Sequence, residues 1–251
     1  MNLKYPRGML LDRLQPPIRG VRLVHRDDSA NGPQPFSVQI VPLRPLNVAA
    51  VERLKNQLVD TSGPIVTTAL GSMEQAPFLE AGFVSRETLH LLRKSLSTDP
   101  NNPAPTLCDD LQTGATIRNG RRGDLEAVLE IDRESFDTFW AFDRNGLASA
   151  RKATPAHSYT VAVIDGVVVG YSVTGRSGSS SFLQRLGVSP AYRRRGIGSH
   201  LICDSLQWAR RRGAHTMLVN TQELNDSALR LYLQHGFALE KDKLCVLEWI
   251  R

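Results

Sequence analysis

The chain has 251 residues, 41% hydrophobic and 22% charged, with a formal charge of +6. That length holds one large domain or two small ones with ample core, and the composition is that of an ordinary soluble globular protein. No apolar run approaches the roughly 18–20 residues that span a bilayer, the charged start Met1–Arg7 lacks the apolar stretch of a secretory signal, and the three scattered cysteines Cys108, Cys203 and Cys245 give neither metal-ligand spacing nor a disulfide framework. These features point to a cytoplasmic protein with no metal site.

In chain order, alignment of the N-terminal region with the C-terminal part places a strand at Phe36–Pro42, a helix at Val48–Leu58, a strand at Ile65–Thr68, a helical segment in Ala76–Phe83 and a strand at Thr88–Ser95. Ser97–Pro105 is rich in turn formers and poor in apolar residues, so 97–115 reads as a linker between an N-terminal segment, residues 1–96, and a C-terminal domain, residues 116–251. Beyond it, Thr116–Arg118 suits a short strand. Asp124 is placed to cap a helix running through Trp140, because Leu125, Val128, Leu129, Phe136 and Phe139 fall near helical spacing. Tyr159–Ile164 and Val167–Val173 flank Asp165-Gly166, a strong hairpin signal because both turn residues need positive φ. Ser181–Val188 is a strand ended by Pro190, Gly198–Arg212 a helix stopped by Gly213, Thr216–Thr221 a strand, Ser227–Gln234 a helix stopped by Gly236, and Lys243–Ile250 a final strand. The order β-α-β-β-β-α-β-α-β makes a mixed α/β domain.

Positive charge is concentrated in Arg193–Arg195 and Arg210–Arg212. Such clusters suit an anionic partner, either nucleic acid or a phosphorylated small molecule. For Arg210–Arg212 a solvated basic face is the competing reading. Arg193-Arg194-Arg195-Gly196-Ile197-Gly198 differs because it joins a strand to a helix. The first turn of a helix leaves N–H groups without intrahelical partners and carries partial positive charge, so a phosphate can sit there. Glycines at 196 and 198 would let the backbone approach closely and take positive φ. The loop lacks the third glycine of a dinucleotide fingerprint, and a hairpin rather than a βαβ unit precedes it. It also lacks the Gly-Lys-Ser/Thr ending of a nucleoside triphosphate loop.

With its preceding strand Leu183–Val188, this loop resembles the Arg/Gln-x-x-Gly-x-Gly/Ala motif of the GNAT superfamily of acyl-CoA N-acyltransferases. Asn225–Phe237 resembles a second motif of that family at the expected separation. The resemblance covers Thr116–Arg251. It implies a mixed, mostly antiparallel central sheet flanked by helices. In that fold, strands ending at Val188 and starting near Met217 splay apart to admit a pantetheine arm. It further implies that Leu186, Gly187 and Val188 lie along the cofactor, with the backbone of Leu186 and Val188 meeting the pantetheine amides. The N–H groups around Arg193, Arg194, Arg195, Gly196, Ile197, Gly198 and Ser199 would hold the pyrophosphate, and Asn225 would hydrogen-bond the arm. The cosubstrate is then acetyl-CoA and the partner an amine acceptor.

Acetyl transfer to an amine needs loss of an amine proton, donors for an oxyanion and a proton for the leaving thiolate. Tyr232 fits the last role, since a phenol with an ordinary pKa of about 10 is protonated at neutrality; packing in the core is its alternative. The resemblance implies a backbone N–H near Val188 for the oxyanion. The position where ribosomal-protein alanine acetyltransferases carry a glutamate is Asn220, which leaves Glu223, Glu134 and Asp137 as substitutes, or water. In the resembling family this region shapes the acceptor pocket, which makes Trp140 the pocket candidate among Phe136, Phe139, Trp140 and Phe142, although aromatics at helical spacing more often form core.

A faint repeat aligns Ala76–Phe83 with Arg230–Phe237 and Ile65–Thr68 with Val219–Gln222. On this reading residues 1–96 are a truncated, degenerate copy of the same fold. Phe78 replaces Tyr232, and Leu43–Asn47, with Pro45 and no glycine, replaces the loop. Mycothiol synthases offer a comparable pairing of weak and active copies. Besides an N-acetyltransferase, a non-catalytic acyl-CoA-binding regulatory module fits, favoured by the absent base. Nucleic-acid binding is disfavoured, because no helix-turn-helix, zinc or aromatic-platform signature accompanies the arginines.

Overall fold

The computed structural model describes residues 20–26, 37–61, 63–96 and 113–250. Most of the linker therefore lies outside the described residues. In chain order the elements are β1 (Val21–Arg26), β2 (Ser37–Pro42), α1 (Val48–Leu58), β3 (Ile65–Thr67), α2 (Ser72–Glu80), β4 (Val84–Ser95) and β5 (Thr116–Asn119). Then come α3 (Leu125–Ser135), α4 (Arg144–Lys152), β6 (Ala156–Ile164), β7 (Val167–Ser177), β8 (Ser180–Val188) and α5 (Ile197–Arg211). The chain closes with β9 (Thr216–Gln222), α6 (Asp226–Gln234), β10 (Ala238–Leu239) and β11 (Leu244–Trp249).

The described residues form two compact units, one of residues up to Thr88 with those from Leu244 on, the other Leu89–Lys243. The sequence division at 97–115 follows chain order, and the compact units do not. The boundary falls inside β4, whose Leu89–Ser95 pairs antiparallel with β9. The final strand β11, read from sequence as belonging to the C-terminal domain, instead places Glu248 and Trp249 opposite Val66 and Ile65 of β3. A strand belongs where its backbone donors and acceptors are paired, and that pairing is set by register rather than by neighbours in sequence.

In the first unit β1 and β2 are antiparallel, and β2 and β3 are parallel. Parallel strands need a crossover, and α1 supplies it. Asn47 starts that helix, its Oδ1 accepting from the Ala50 N–H at 2.9 Å. Val51, Leu54 and Leu58, at helical spacing, turn inward onto Val38, Ile40 and Phe78.

In the second unit the strand order is β4-β9-β8-β7-β6-β5, with β10 on β4. The β6–β7 turn has positive φ at Asp165 (49°) and Gly166 (81°), as the Asp-Gly signal predicts. The first helix departs from expectation. It stops at Ser135 with Phe136 extended, and α4 follows as a separate helix with only Leu147 buried. Asp124 does not cap α3 by side chain. Its carboxylate accepts the Arg121 N–H at 2.6 Å and two bonds from Arg118 at 2.7 and 2.8 Å. Those bonds, the Arg118 side-chain bond foremost, hold Asp124 below the ordinary carboxylate range. A carboxyl depressed in the folded state stabilises above its unfolded pKa and loses that contribution as pH falls through the folded value. Asp124→Asn is therefore expected to flatten the acid limb of stability below pH ~4, checked by urea unfolding from pH 7 down to pH 3.

Cys245 is free and buried, whereas Cys203 is disulfide-bonded, which the cysteine spacing did not suggest. Among the described residues no helix is long and apolar enough to cross a membrane, and no group of three or more His, Cys, Asp or Glu is placed to hold a metal.

Candidate functional site

The site begins where β8 leaves β9. The two strands pair in parallel only at Ser180–Phe182 with Thr216–Leu218. Past that point β8 stays on β7 as far as Val188, and β9 stays on β4 as far as Gln222. A β-bulge between Val173 and Thr174 leaves Gln184 without an opposite residue, just after the last β8–β9 pair. Bulges bend the strand that carries them and raise its twist, which opens the wedge here. The Ser189 N–H donates to Val169 O at 3.0 Å. By antiparallel alternation, the N–H and C=O of Val188 and of Leu186 then turn away from β7, toward the wedge. Gly187 lies between them and is buried beneath Tyr171, whose Cε1 is 2.8 Å from where a Cβ would stand.

After β8 the chain makes a short 3-10 turn at Pro190–Tyr192, is extended at Arg193, and starts α5 at Ile197. The first bond of the helix runs from the His200 N–H to Gly196 O at 3.0 Å. The N–H groups of Ile197, Gly198 and Ser199 precede it and lack a helical partner. Positive φ occurs at Gly196 (78°) and Arg194 (63°). This corrects the expectation for Gly198, which is helical and needed for another reason. A Cβ there would stand 3.1 Å from Leu231 Cδ2 and 4.0 Å from Val188 Cγ2, so Gly198 allows α5 to begin close against α6 and β8.

The arginines divide their roles. Arg193 folds back, with Nε donating to Val188 O at 3.1 Å and Nη2 reaching Glu134 O and Ser135 Oγ at 3.4 Å. Arg195 lies over the Tyr192 ring at 5.2 Å. Arg194 and Arg195 are exposed beside the helix start, where their charge adds to that of the free N–H groups.

On α6, Asn225 is the N-cap, its Oδ1 accepting from the Ala228 N–H at 3.1 Å. Only its Nδ2 donors remain for another partner. Tyr232 is buried, with its ring edge-on to Phe237 at 5.9 Å. Burial pushes its phenol up to about 12, and the Arg185 charge acts in the opposite direction. Its hydroxyl forms no hydrogen bond with the described residues.

Sequence reasoning missed a buried network beside these residues. The Asp132 carboxylate receives Arg185 Nε and Nη2 at 2.7 and 2.8 Å, the Phe142 N–H at 2.5 Å and the Tyr171 hydroxyl. Arg185 Nη2 also donates to Trp140 O at 2.7 Å. The guanidinium is sandwiched between the rings of Phe136 and Phe142, 3.4 and 4.0 Å from their centroids. Phe136 and Phe142 thus serve this ion pair, while Trp140 is half-buried and edge-on to Phe139 at 5.1 Å. A signal was present in the sequence. Asp132 falls on the buried stripe of α3 with Val128 and Leu129, and Arg185 falls between Leu183 and Gly187 on the inward row of β8. A charge on an inward row calls for a partner.

The substitute bases fare poorly. Glu223 pairs with Lys243 at 2.5 Å, and that bond holds its carboxyl below the usual range, which weakens it as a base. Glu134 accepts from Ser189 Oγ at 3.3 Å, and Asp137 caps the Trp140 N–H at 3.1 Å. Asn220 is exposed on β9.

A family model described as Acetyltransferase (GNAT) family matches residues 125–237. N-alpha-acetyltransferase RimI of Mycobacterium tuberculosis is 34% identical over 131 residues, covering 49% of this chain and 77% of that protein. Mycothiol acetyltransferase of Thermobispora bispora is 28% identical over 200 residues, 74% of this chain and 66% of that protein. Among solved structures, a tandem GNAT protein from the clavulanic acid biosynthesis pathway aligns with a TM-score of 0.64 at 14% identity, over 91% of this chain and 78% of its own. A GCN5-related N-acetyltransferase from Sphaerobacter thermophilus aligns at 0.59 and 18%, over 91% and 75%. These two structural likenesses speak to the fold alone.

Proposed function

This chain belongs to the GNAT family of acetyltransferases, and from that premise we propose that it carries an acetyl group from acetyl-CoA directly to a primary amine, with Tyr232 as the acid that meets the departing sulfur. As a member of the family it is an acetyl-CoA-dependent acyltransferase. The observation that carries the residue roles is the convergence, within Leu89–Lys243, of an open β8 edge, a helix start with free N–H groups and a buried phenol.

The residues fit the cosubstrate. The N–H groups of Ile197, Gly198 and Ser199, with Arg194 and Arg195 alongside, suit a pyrophosphate. Leu186 offers a strand-like donor and acceptor to a pantetheine arm, and Val188 its N–H, in the manner of an added strand. Since Val188 O is occupied by Arg193, the free group at that residue is its N–H, which is placed to serve an oxyanion. Asn225 adds Nδ2 donors. Gly198→Val is expected to weaken acetyl-CoA about tenfold or more, some 1.4 kcal/mol, because the new side chain fills the space between Val188 and Leu231. Calorimetric titration reads this, and unchanged affinity would remove Gly198 from the site.

The N-terminal segment is read as a degenerate copy. Strand β2, helix α1 and parallel strand β3 repeat the order β8, α5, β9. Phe78 is edge-on to Phe83 at 5.2 Å, as Tyr232 is to Phe237 at 5.9 Å. Without a phenol or a glycine loop this copy is inactive, and one active site per chain is expected.

The acceptor is a primary amine. One relative is named for N-alpha acetylation and another for the alanine of ribosomal protein bS18, so peptide N-termini head the panel, followed by lysine, polyamines, amino acids and aminated antibiotics. A second reading, a non-catalytic acyl-CoA-binding module, is favoured by the engaged carboxylates around the site. Thiol release from acetyl-CoA across that panel, with CoA binding measured alongside, separates the two. Binding without release on every class of amine would sink the enzymatic reading.

A further inference from the structure

Arg185 takes no part in the reaction as proposed above, yet its guanidinium is engaged through Nε, through Nη2 and by two rings. Its edge is hydrogen-bonded to both oxygens of Asp132 and to Trp140 O. Its faces are covered by Phe136 and Phe142. Asp132 in turn accepts the Phe142 N–H and the Tyr171 hydroxyl. The stretch between α3 and α4 has no ladder of its own. It is fastened at two backbone groups, Trp140 C=O and Phe142 N–H, and at two rings, all on this one ion pair. Buried ion pairs often add little stability over apolar packing, which leaves room for a functional reason for this one.

Its location supplies one. Arg185 lies three residues before Val188, whose N–H faces the wedge, and its charge bears on the Tyr232 hydroxyl in the direction of proton release. We propose that Arg185 is a positioning residue for acetyl transfer, fixing the 136–142 loop as the wall against which the acceptor amine is held beside Val188 and Tyr232. This rests on the acetyltransferase reading.

Arg185→Lys keeps the charge but loses the fork and the flat faces. In the full-length chain, hydrogen exchange across 136–143 is expected to quicken about tenfold or more while α5 is unchanged. Acceptor kcat/KM should fall about 10²-fold, with most of the change in acceptor KM, and acetyl-CoA affinity should hold within about twofold. Unchanged loop exchange or unchanged acceptor KM would overturn the proposal, as would a loss of acetyl-CoA affinity equal to the loss on the acceptor side. If Arg185→Lys does not fold, Asp132→Asn with Arg185→Gln carries the same measurements on a neutral pair. Failure of both to fold would assign the pair to stability alone and overturn the proposal. Should the wild-type chain acetylate no amine, the functional reading fails by that result, and loop exchange still judges the positioning role.

Discussion

Tyr232→Phe is expected to lower kcat by about 10²-fold or more while leaving acetyl-CoA affinity and thermal stability near the wild-type values. The ring contributes packing on Phe237, in the cluster with Leu206, Met217 and Val219, and phenylalanine keeps all of it. The hydroxyl makes no hydrogen bond with the described residues, so its removal strands no partner. Only the proton is lost. With burial pushing the phenol up to about 12, the acid stays loaded throughout the working range. The alkaline limb of the rate profile should then come from other groups. The same burial that holds the proton on the phenol also raises the basicity of a thiolate leaving into that space, and Arg185 opposes the rise at Tyr232. Single-turnover kinetics with enzyme in excess over acetyl-CoA isolate the step. Full turnover in the phenylalanine variant would exclude the acid role and leave Tyr232 a core residue.

Asp132→Ala is expected to destabilise the chain by about 3–5 kcal/mol, because it leaves the Arg185 guanidinium buried without its counter-ion. It also removes the acceptor for the Phe142 N–H and for the Tyr171 hydroxyl. In a unit the size of Leu89–Lys243, that loss lowers the melting temperature by about 10 °C. Asp132→Asn should cost less, since the amide oxygen still accepts a bond, though without charge. Replacing Asp132 and Arg185 together with apolar side chains should cost less again, because no charge is left unpaired. The order of these three melting temperatures is the test. An alanine variant within about 1 kcal/mol of wild type would mean that water reaches Arg185 and that the pair is not buried as described.

What the sequence determined by itself is local. The Asp165-Gly166 turn follows from the backbone preferences of two consecutive residues and stands where it was expected, and the helices read at Gly198–Arg212 and Ser227–Gln234 are present, each beginning one residue earlier, with Asn225 as an N-cap that the sequence reading did not assign. The loop Arg193–Ser199 was legible for the same reason, since a strand, a glycine turn and a helix start are written in adjacent residues. Even there the finer geometry was not. Positive φ fell on Arg194 rather than Gly198, and Arg193 turned back onto Val188. Helix α4 escaped notice because a helix with one buried residue has no apolar periodicity to show.

Tertiary structure alone decided two things. One was the partition of strands, with Leu89–Ser95 joining the second unit and Leu244 onward joining the first, because β pairing is made between residues far apart in sequence and composition carries no record of the partner. The other was the bond between Asp132 and Arg185, 53 residues apart. Each residue by itself is an ordinary charge. Only the fold takes both from water and places them face to face, where neither can remain without the other.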